Sequence, residues 1–201
     1  MAKKDREKLY PVYGPKNIPE MTDEEVKEYL EAGYDTVLIG LGSCESHAGH
    51  IPLGCDTFQV DEFCRRAVHK LSEAGYKALA GPVVPFGMSV YYTDVPGTCS
   101  ISATTLVALI KEISFCLIGQ GFNKVALVLG HGGNFFPMMN AAQEIVDETD
   151  AEVLAINWVP AMGQRISEFS KSTGPDGHAG EVNTSNMMAV IPELVQMDRA
   201  P

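Results

Sequence analysis

Short apolar runs alternate along the chain with longer stretches in which apolar residues recur at helical spacing. The apolar runs predict buried strands at 36–41, 78–84, 122–129 and 152–157. Helical spacing covers 56–74, 102–120 and 135–149, and Thr22 with Glu25 forms a capping-box pattern that opens a further helix ending near Ala32. Strands that alternate with helices in this way predict βαβ units and an α/β fold with a mainly parallel sheet.

The first candidate site is a glycine-rich loop that follows the strand predicted at 36–41. Glu45 and His47 lie two positions apart, so both side chains face the same way if the strand stays extended as far as His47. Glycines and a proline then turn the chain, and Asp56 is predicted to cap the next helix, where its carboxylate can reach the same point. This loop therefore predicts three ligands for a metal ion.

Two later glycine-rich segments supply further ligands. His131 follows the strand predicted at 122–129, and ligands of open α/β sheets bind at such carboxyl ends. His178 and Glu181 lie where a polar loop enters an apolar helical pattern. The leading candidates for metal ligands are Glu45, His47, Asp56, His131 and Glu181.

Each of these residues, taken alone, is more often a turn or capping group than a ligand. Their grouping favours a metal site, because four of the five histidines fall in the three glycine-rich loops. His69 is in a helical stretch and is predicted to lie on its surface. His50 has two open interpretations, as a side chain that supports the ligands or as a turn residue.

Taken together, the motifs resemble those of the creatininase (creatinine amidohydrolase) family. They are Glu-x-His-x-x-His-x-Pro-x-x-x-Asp from Glu45, Gly-His-Gly-Gly-Asn around His131, and His-Ala-Gly-Glu-x-x-Thr-Ser from His178, with Gly-x-Ser at 87–89 and Pro-Gly-Thr at 96–98. The resemblance runs from about Thr36 to Met197. It implies a three-layer α/β/α fold, a site for two zinc or manganese ions, hydrolysis of non-peptide carbon–nitrogen bonds and, often, homo-hexamers.

The same resemblance implies roles for the candidate residues. The five candidates match metal-binding positions, with Asp56 as the carboxylate that bridges both ions, and His178 matches a proton shuttle. Creatininases proper have a glutamate where this chain has Gly133, so Glu181 is expected to complete the shell of the second ion. The family often has a histidine at the position of Tyr92, so the substrate contacts are expected to differ from those of creatininases.

The residue types make chemical sense as a dinuclear centre. Three carboxylates and one hydroxide would neutralise two divalent cations, which favours a metal-bound hydroxide as the nucleophile. Nitrogen and oxygen ligands fit zinc or manganese, and iron as a further possibility. His178 would take up a proton and deliver it to the leaving group, and its alternative role is a hydrogen bond to Glu181.

Aromatic residues are the expected walls of a substrate pocket. The residues predicted to form these walls are Tyr91, Tyr92 and Trp158, together with Met162 and Phe169. Trp158 precedes a polar segment up to Gly177 that would suit a movable lid. Packing of Trp158 in the core is the other open interpretation.

Composition excludes several functional classes. The formal net charge of −11 argues against binding to nucleic acids or anionic membranes. A nucleotide site is not expected, because neither a P-loop lysine nor a dinucleotide glycine pattern is present. All five cysteines are interpreted as small apolar fillers. Their odd number, the lack of a leader and the lack of a twenty-residue apolar run favour the reducing cytoplasm.

The function predicted from these observations is that of a dinuclear metal-dependent hydrolase. It would attack a carbonyl and cleave a non-peptide carbon–nitrogen bond in a small cyclic amide. A formamide or a cyclic ketone cleaved at carbon is an alternative substrate, and a catalytically silent metal-binding subunit is an alternative of another class.

A single domain is expected over 1–201, and the chain stops at Pro201, where family members usually continue.

Overall fold

The computed structural model describes residues 17–172 and 176–201. Within them, four parallel strands form one sheet: β1 (Thr36–Leu41), β2 (Ala78–Val84), β3 (Lys124–Leu129) and β4 (Glu152–Ile156). The strand order is β2-β1-β3-β4, so β1 and β3 are the two central strands. All four predicted strands are confirmed, the first two with the predicted bounds.

Helices cover both faces of this sheet. They are α1 (Asp23–Glu31), α2 (Cys55–Glu73), α3 (Ala103–Gly119), α4 (Phe135–Glu148), α5 (Val159–Phe169) and α6 (Glu181–Val190). The predicted capping box opens α1, because the Glu25 N–H donates to the Thr22 hydroxyl and the Thr22 N–H donates to the Glu25 carboxylate. None of the described helices is both long and apolar enough to cross a bilayer.

Alternate residues of the central strands pack against different helices. Ile39 and Leu127 face a buried cluster that includes Ile110 of α3 and Ile145 of α4. The intervening strand residues, such as Leu38 and Val128, pack with a second cluster that contains Val60 and Cys64 of α2. Burial of one large aliphatic side chain contributes about 1.5–3 kcal/mol, so these two clusters hold the layers together. The predicted α/β fold, with three layers and a parallel sheet, is confirmed.

One local prediction is wrong. Asp56 does not cap a helix: α2 begins at Cys55 with Gly54 as its N-cap, so Asp56 is the second helical residue. The segment after Trp158 forms α5 over Val159–Phe169, with a proline in its first turn, where the missing N–H costs nothing. Its role as a movable lid stays a prediction. Part of the predicted lid, at 173–175, lies outside the described residues.

Candidate metal centre

The carboxyl ends of β1 and β3 bring two of the predicted loops together. The two strands pair in register along their full length, so Leu41 lies beside Leu129 where both strands end. The backbone N–H groups of Gly130 and His131 donate to the Leu41 carbonyl at 2.9 and 3.2 Å. Both glycine-rich loops therefore leave the sheet at the same point.

Gly42 allows the first loop to pass close to the start of α2. A Cβ atom at this position would lie 2.5 Å from Thr57 Oγ1 and 2.6 Å from Thr57 Cα. Thr57 Oγ1 donates to the Ser43 carbonyl at 2.8 Å, and Ser43 Oγ donates to Asp56 Oδ2 at 2.8 Å. This close approach holds the Asp56 carboxylate against the loop that carries Glu45.

The Asp56 carboxylate lies between two histidines. Its Oδ1 is 3.3 Å from His47 Nε2, and its Oδ2 is 3.0 Å from His131 Nδ1. His131 Nδ1 also lies 3.2 Å from Glu45 Oε1. Each oxygen of one carboxylate thus faces a different imidazole, which is the arrangement expected of a carboxylate shared between two cations.

Three overlapping groups of residues each present three ligand atoms within 4.8 Å of one another. The groups are Glu45 with Asp56 and His131, His47 with Cys55 and Asp56, and Glu45 with His47 and His178. Glu45, His47 and Asp56 are buried, so a cation at this place would be largely shielded from solvent. The structure therefore brings together four of the five predicted ligands, all except Glu181.

In three histidines, the outward ring nitrogen, which is the one that faces away from the cluster, is paired with a backbone carbonyl. The pairs are His47 Nδ1 with Glu45 O at 3.2 Å, His131 Nε2 with Met88 O at 3.1 Å and His178 Nε2 with Ser46 O at 2.6 Å. A carbonyl oxygen can only accept, so the outward nitrogen carries the hydrogen and the inward nitrogen of the neutral ring offers a lone pair. Histidines that bind metals almost always donate their other N–H in this manner.

The charges of the cluster are strongly coupled when no cation is present. Burial alone would lower the pKa of His47, but hydrogen bonds to Asp56 and Cys55, together with the negative charge of these groups, outweigh burial and raise that pKa to about 10. The pKa of His131 is likewise raised to about 10 by hydrogen bonds to Asp56 and Glu45 that outweigh burial. Burial would raise the pKa of Asp56, but the two histidines hold it well below its usual range. Protons on the two rings thus occupy the positions that a cation would take.

One oxygen of Glu45 indicates that a further group fits here. Glu45 is 1% exposed, and its Oε2 is buried with no hydrogen-bond partner among the described residues. A buried carboxylate oxygen without a partner costs free energy unless it is paired or coordinates a metal. Together with the inward lone pairs of the histidines, this oxygen makes the donor set suitable for a divalent cation.

Glu181 does not join the cluster. Its carboxylate accepts hydrogen bonds from Ser170 Oγ at 2.8 Å and from the backbone N–H groups of Lys171 and Ser172 at 3.0 and 2.8 Å. Backbone hydrogen bonding from Lys171 lowers the pKa of Glu181, with the Ser170 hydroxyl adding to the effect. The first turn of α6 therefore directs this carboxylate to the segment that follows α5, and it does not complete the shell that was predicted for it.

His178 lies at the open side of the centre. Its Nδ1 is 3.7 Å from Glu45 Oε1, and its ring packs against Tyr92 at 4.5 Å and against His47 at 4.2 Å between centroids. The side chain of His178 is 32% exposed, so solvent reaches it. The alternative role, a hydrogen bond to Glu181, is not what the structure has, because the two ring nitrogens face Ser46 and Glu45.

The other predicted wall residues lie in different places. Tyr91 is 88% exposed. Trp158 donates from Nε1 to the Leu129 carbonyl at 2.5 Å and stacks on Phe63 of α2 at 5.6 Å. The geometry of Trp158 therefore favours the packing interpretation. Met162 and Phe169 line a cavity of about 270 Å³ between α5 and α6, which Glu181 also lines.

The two remaining histidines lie outside the cluster. His50 is buried, and its Nε2 lies 2.9 Å from Thr184 Oγ1 of α6, so it ties the first loop to that helix. His69 is on the surface of α2 beside Glu73, as predicted.

Sequence reasoning missed Asn134 and misjudged the cysteines. Asn134 is buried, its Oδ1 accepts from the Met88 N–H at 3.0 Å, and its Nδ2 donates to the Gly42 carbonyl at 2.8 Å. Asn134 is part of the glycine-rich motif around His131, but the sequence pattern carries no signal for its hydrogen bonds to residues distant in sequence.

The cysteines are not all fillers, since Cys99 and Cys116 are exposed and Cys55 lies beside His47. Burial raises the pKa of the Cys55 thiol, and the hydrogen bond with His47 lowers it in part.

Comparisons with known proteins match most of this chain to one family. The family model described as Creatininase: Creatinine amidohydrolase matches residues 19–201. A protein of Mycobacterium ulcerans named Mycofactocin precursor peptide peptidase is 31% identical over 175 residues, which are 85% of this chain and 64% of that protein. The 3-dehydro-scyllo-inosose hydrolase of Thermotoga maritima is 26% identical over 184 residues, which are 90% of this chain and 58% of that protein. The chain thus spans about three fifths of the length of these curated relatives.

Solved structures of creatininases have the same fold. A structure titled Creatininase Mn superposes with a TM-score of 0.75 at 24% identity and covers 92% of this chain and 76% of its own. A mutant creatininase of the Zn-Zn type has a TM-score of 0.77 at 24% identity, covering 90% and 75%.

Proposed function

Because the chain belongs to the creatininase (creatinine amidohydrolase) family, whose model matches residues 19–201, we propose that it is a hydrolase that binds two divalent metal ions and cleaves the carbon–nitrogen bond of an amide. The inward ring nitrogens of the three histidines, arranged around Glu45 and Asp56, are the observation that carries this proposal. Bound zinc or manganese would lower the pKa of water to about 7 and polarise a carbonyl.

Asp56 supports the proposal of two ions. One of its oxygens faces His47 and the other faces His131, so the carboxylate can bind two cations at once. We call the group of Glu45, Asp56 and His131 the Glu45 half-site, and the group of His47 and Asp56 the His47 half-site. The relatives that are described as Mn and Zn-Zn forms make both metals reasonable candidates.

His178 is the proposed proton carrier. Its Nδ1 lone pair faces the centre, and its ring is held between His47 and Tyr92 but remains reachable from solvent. A neutral imidazole in this position can accept a proton from the attacking water and deliver it to the leaving nitrogen. Tyr92 would form the wall on the outer side of the ring.

A small cyclic amide is the first proposed substrate class. An exposed peptide bond is a second candidate, which the 31% identity to a relative named as a precursor peptide peptidase favours. Substrate screens should therefore include cyclic amides, short peptides, formamides and a cyclic ketone, the last because another relative is named an inosose hydrolase.

A homo-oligomeric state and a cytoplasmic location are further proposals. Exposed apolar side chains on one stripe of α4, namely Phe136, Met139 and Val146, support a homo-oligomer. The cytoplasm remains the proposed compartment.

The experiment combines metal analysis with a hydrolysis screen on the same protein. We expect about two ions per chain after reconstitution, and mass-spectrometric detection of water addition to at least one substrate. Glu45→Gln should abolish turnover and the binding of the ion at the Glu45 half-site. Glu62→Gln changes a buried glutamate that pairs with Arg66, and this variant should retain both ions and turnover. Absence of metal after reconstitution, or turnover that survives Glu45→Gln, contradicts the proposal. Two bound ions without any turnover favour the silent metal-binding alternative.

A further inference from the structure

We propose that the Cys55 thiolate is a metal ligand of the His47 half-site, which would make that half-site a histidine, cysteine and aspartate site that selects zinc over manganese. This inference rests on the proposed function, since it assigns a ligand to one of the two ions. It gives the chain a sulfur ligand at a centre for which only nitrogen and oxygen ligands were expected.

The geometry places the sulfur among the ligands. Ligand atoms of His47, Cys55 and Asp56 all lie within 4.8 Å of one another, and the three residues are buried, Cys55 with no exposed surface. Zinc bonds of about 2.0–2.3 Å place neighbouring ligand atoms of a tetrahedron about 3.5 Å apart. Small rotations of the three side chains therefore suffice to enclose a cation.

Glu181 does not fill this place. A catalytic zinc typically has three protein ligands and a fourth position for water or substrate. His47 and Asp56 supply two ligands, and the Glu181 carboxylate is bound to the segment at 170–172. Among the described residues, the group of close ligand atoms that contains both His47 and Asp56 has Cys55 as its third member.

A hydrogen-bonded pair of amides orients the sulfur. Gln59 lies one helical turn after Cys55, and its Nε2 donates to Cys55 Sγ at 2.7 Å. Asn186 Nδ2 of α6 donates to Gln59 Oε1 at 3.0 Å, which turns the nitrogen of the Gln59 amide toward the sulfur. An N–H donor directed at Sγ stabilises a negative sulfur, as hydrogen bonds around thiolate ligands do in other metal sites.

The charge of the loaded centre also balances with a thiolate. Glu45, Asp56 and Cys55 would contribute three negative charges, and two divalent cations four positive ones, so one hydroxide makes the centre neutral. On metal binding the S–H bond breaks, its proton passes to bulk water, and a sulfur–metal bond forms without any change of oxidation state. Soft thiolate ligands favour zinc, whereas manganese prefers carboxylates and water, so the two half-sites should differ in selectivity.

Cobalt provides a test that does not depend on activity. The whole chain is stripped with a chelator and loaded with Co²⁺, and a thiolate ligand is expected to give a near-ultraviolet sulfur-to-cobalt charge-transfer band. X-ray absorption of the zinc form should show one sulfur at about 2.3 Å per two zinc ions. Neither measurement requires a variant, so misfolding of a mutant cannot obscure the result.

Two variants locate the sulfur. Cys55→Ser should remove the band and weaken zinc binding at one of the two sites by at least about 10- to 100-fold, the loss already caused by removing an outer partner of a ligand. Cys64→Ser is the matched control, because Cys64 is equally buried in the same helix but packs in the apolar cluster under the sheet, so it should keep the band. Manganese binding should change little in either variant.

The outcomes separate this inference from the proposed function. Two cobalt ions per chain without a sulfur band, or a band that survives Cys55→Ser, overturn the cysteine assignment and leave the hydrolase proposal standing. No bound cobalt or zinc at all overturns both. A band that disappears only in Cys55→Ser supports both.

Discussion

The Met88 carbonyl accepts a hydrogen bond from His131 Nε2 at 3.1 Å, and this contact turns His131 Nδ1 toward Glu45 and Asp56. Met88 is itself held by Asn134, which accepts from the Met88 N–H and donates to the Gly42 carbonyl. The orientation of one candidate ligand thus depends on an amide that does not touch the cluster.

The first prediction concerns Asn134. Asn134→Ala leaves the Met88 N–H and the Gly42 carbonyl without this partner, which should cost about 1–3 kcal/mol of unfolding free energy. Metal affinity should fall by about 10- to 100-fold, because the imidazole of His131 loses its fixed orientation. Chemical denaturation and metal titration check the two effects. Asn140→Ala, in an exposed position of α4, is the control, and equal losses in both variants would argue against a positioning role.

A second prediction concerns pH and the stability of the metal-free protein. The pKa of His47 and His131 is raised from 6.5 to about 10 in the fold, so their stabilising effect is complete below pH 6.5 and is lost as pH rises to 10. The pKa of Asp56 is lowered from 3.8, so its effect is present above that pH and is lost as pH falls further. Stability after chelator treatment should therefore decline from pH 6.5 towards 10.

Zinc should reverse this trend, because the cation competes with the protons on both imidazoles and binds better as they leave. Thermal unfolding at a series of pH values, with chelator and with zinc, checks the sign of the two slopes. Parallel slopes in both conditions would show that these histidines do not exchange protons for metal.

The third prediction concerns Gly42. A methyl group at Gly42 would overlap Thr57 Cα and Oγ1, so Gly42→Ala should destabilise the protein by about 1–3 kcal/mol and displace Asp56. Gly163→Ala is the matched control, because nothing lies within 4 Å of its added methyl group in α5. That variant should stabilise the helix by about 0.5–1 kcal/mol. Unfolding curves that rank the two variants in the opposite order would contradict the close approach of loop and helix.

The fourth prediction concerns His178. His178→Ala should retain both metal ions, because the Glu45 and His47 half-sites keep their ligands, but turnover should fall by about 10²- to 10⁴-fold. Steady-state kinetics on the substrate found by the screen, together with metal analysis, separates these effects. His69→Ala on the surface of α2 should behave as the unmodified protein. Unchanged turnover in His178→Ala would remove this residue from the mechanism.

The local pattern of the chain was sufficient for the strands, for most of the helices and for most of the cluster. Strand bounds such as Thr36–Leu41 follow from apolar runs, and the capping box at Thr22 marks a helix start, because both signals act within a few residues. Glu45, His47, Asp56 and His131 were identified because parallel strands end at one edge of a sheet, so the loops that follow them must meet there.

Only the tertiary structure decided which other side chains belong to this centre. Glu181 and Cys55 both stand next to glycine-rich segments, yet the carboxylate of Glu181 is bound to residues 170–172, while α2 carries the sulfur to His47. Trp158 and Tyr91 were equivalent candidates for the pocket, and one packs on Phe63 while the other is exposed. These outcomes depend on contacts between residues distant in sequence, which the spacing of residues along the chain does not encode.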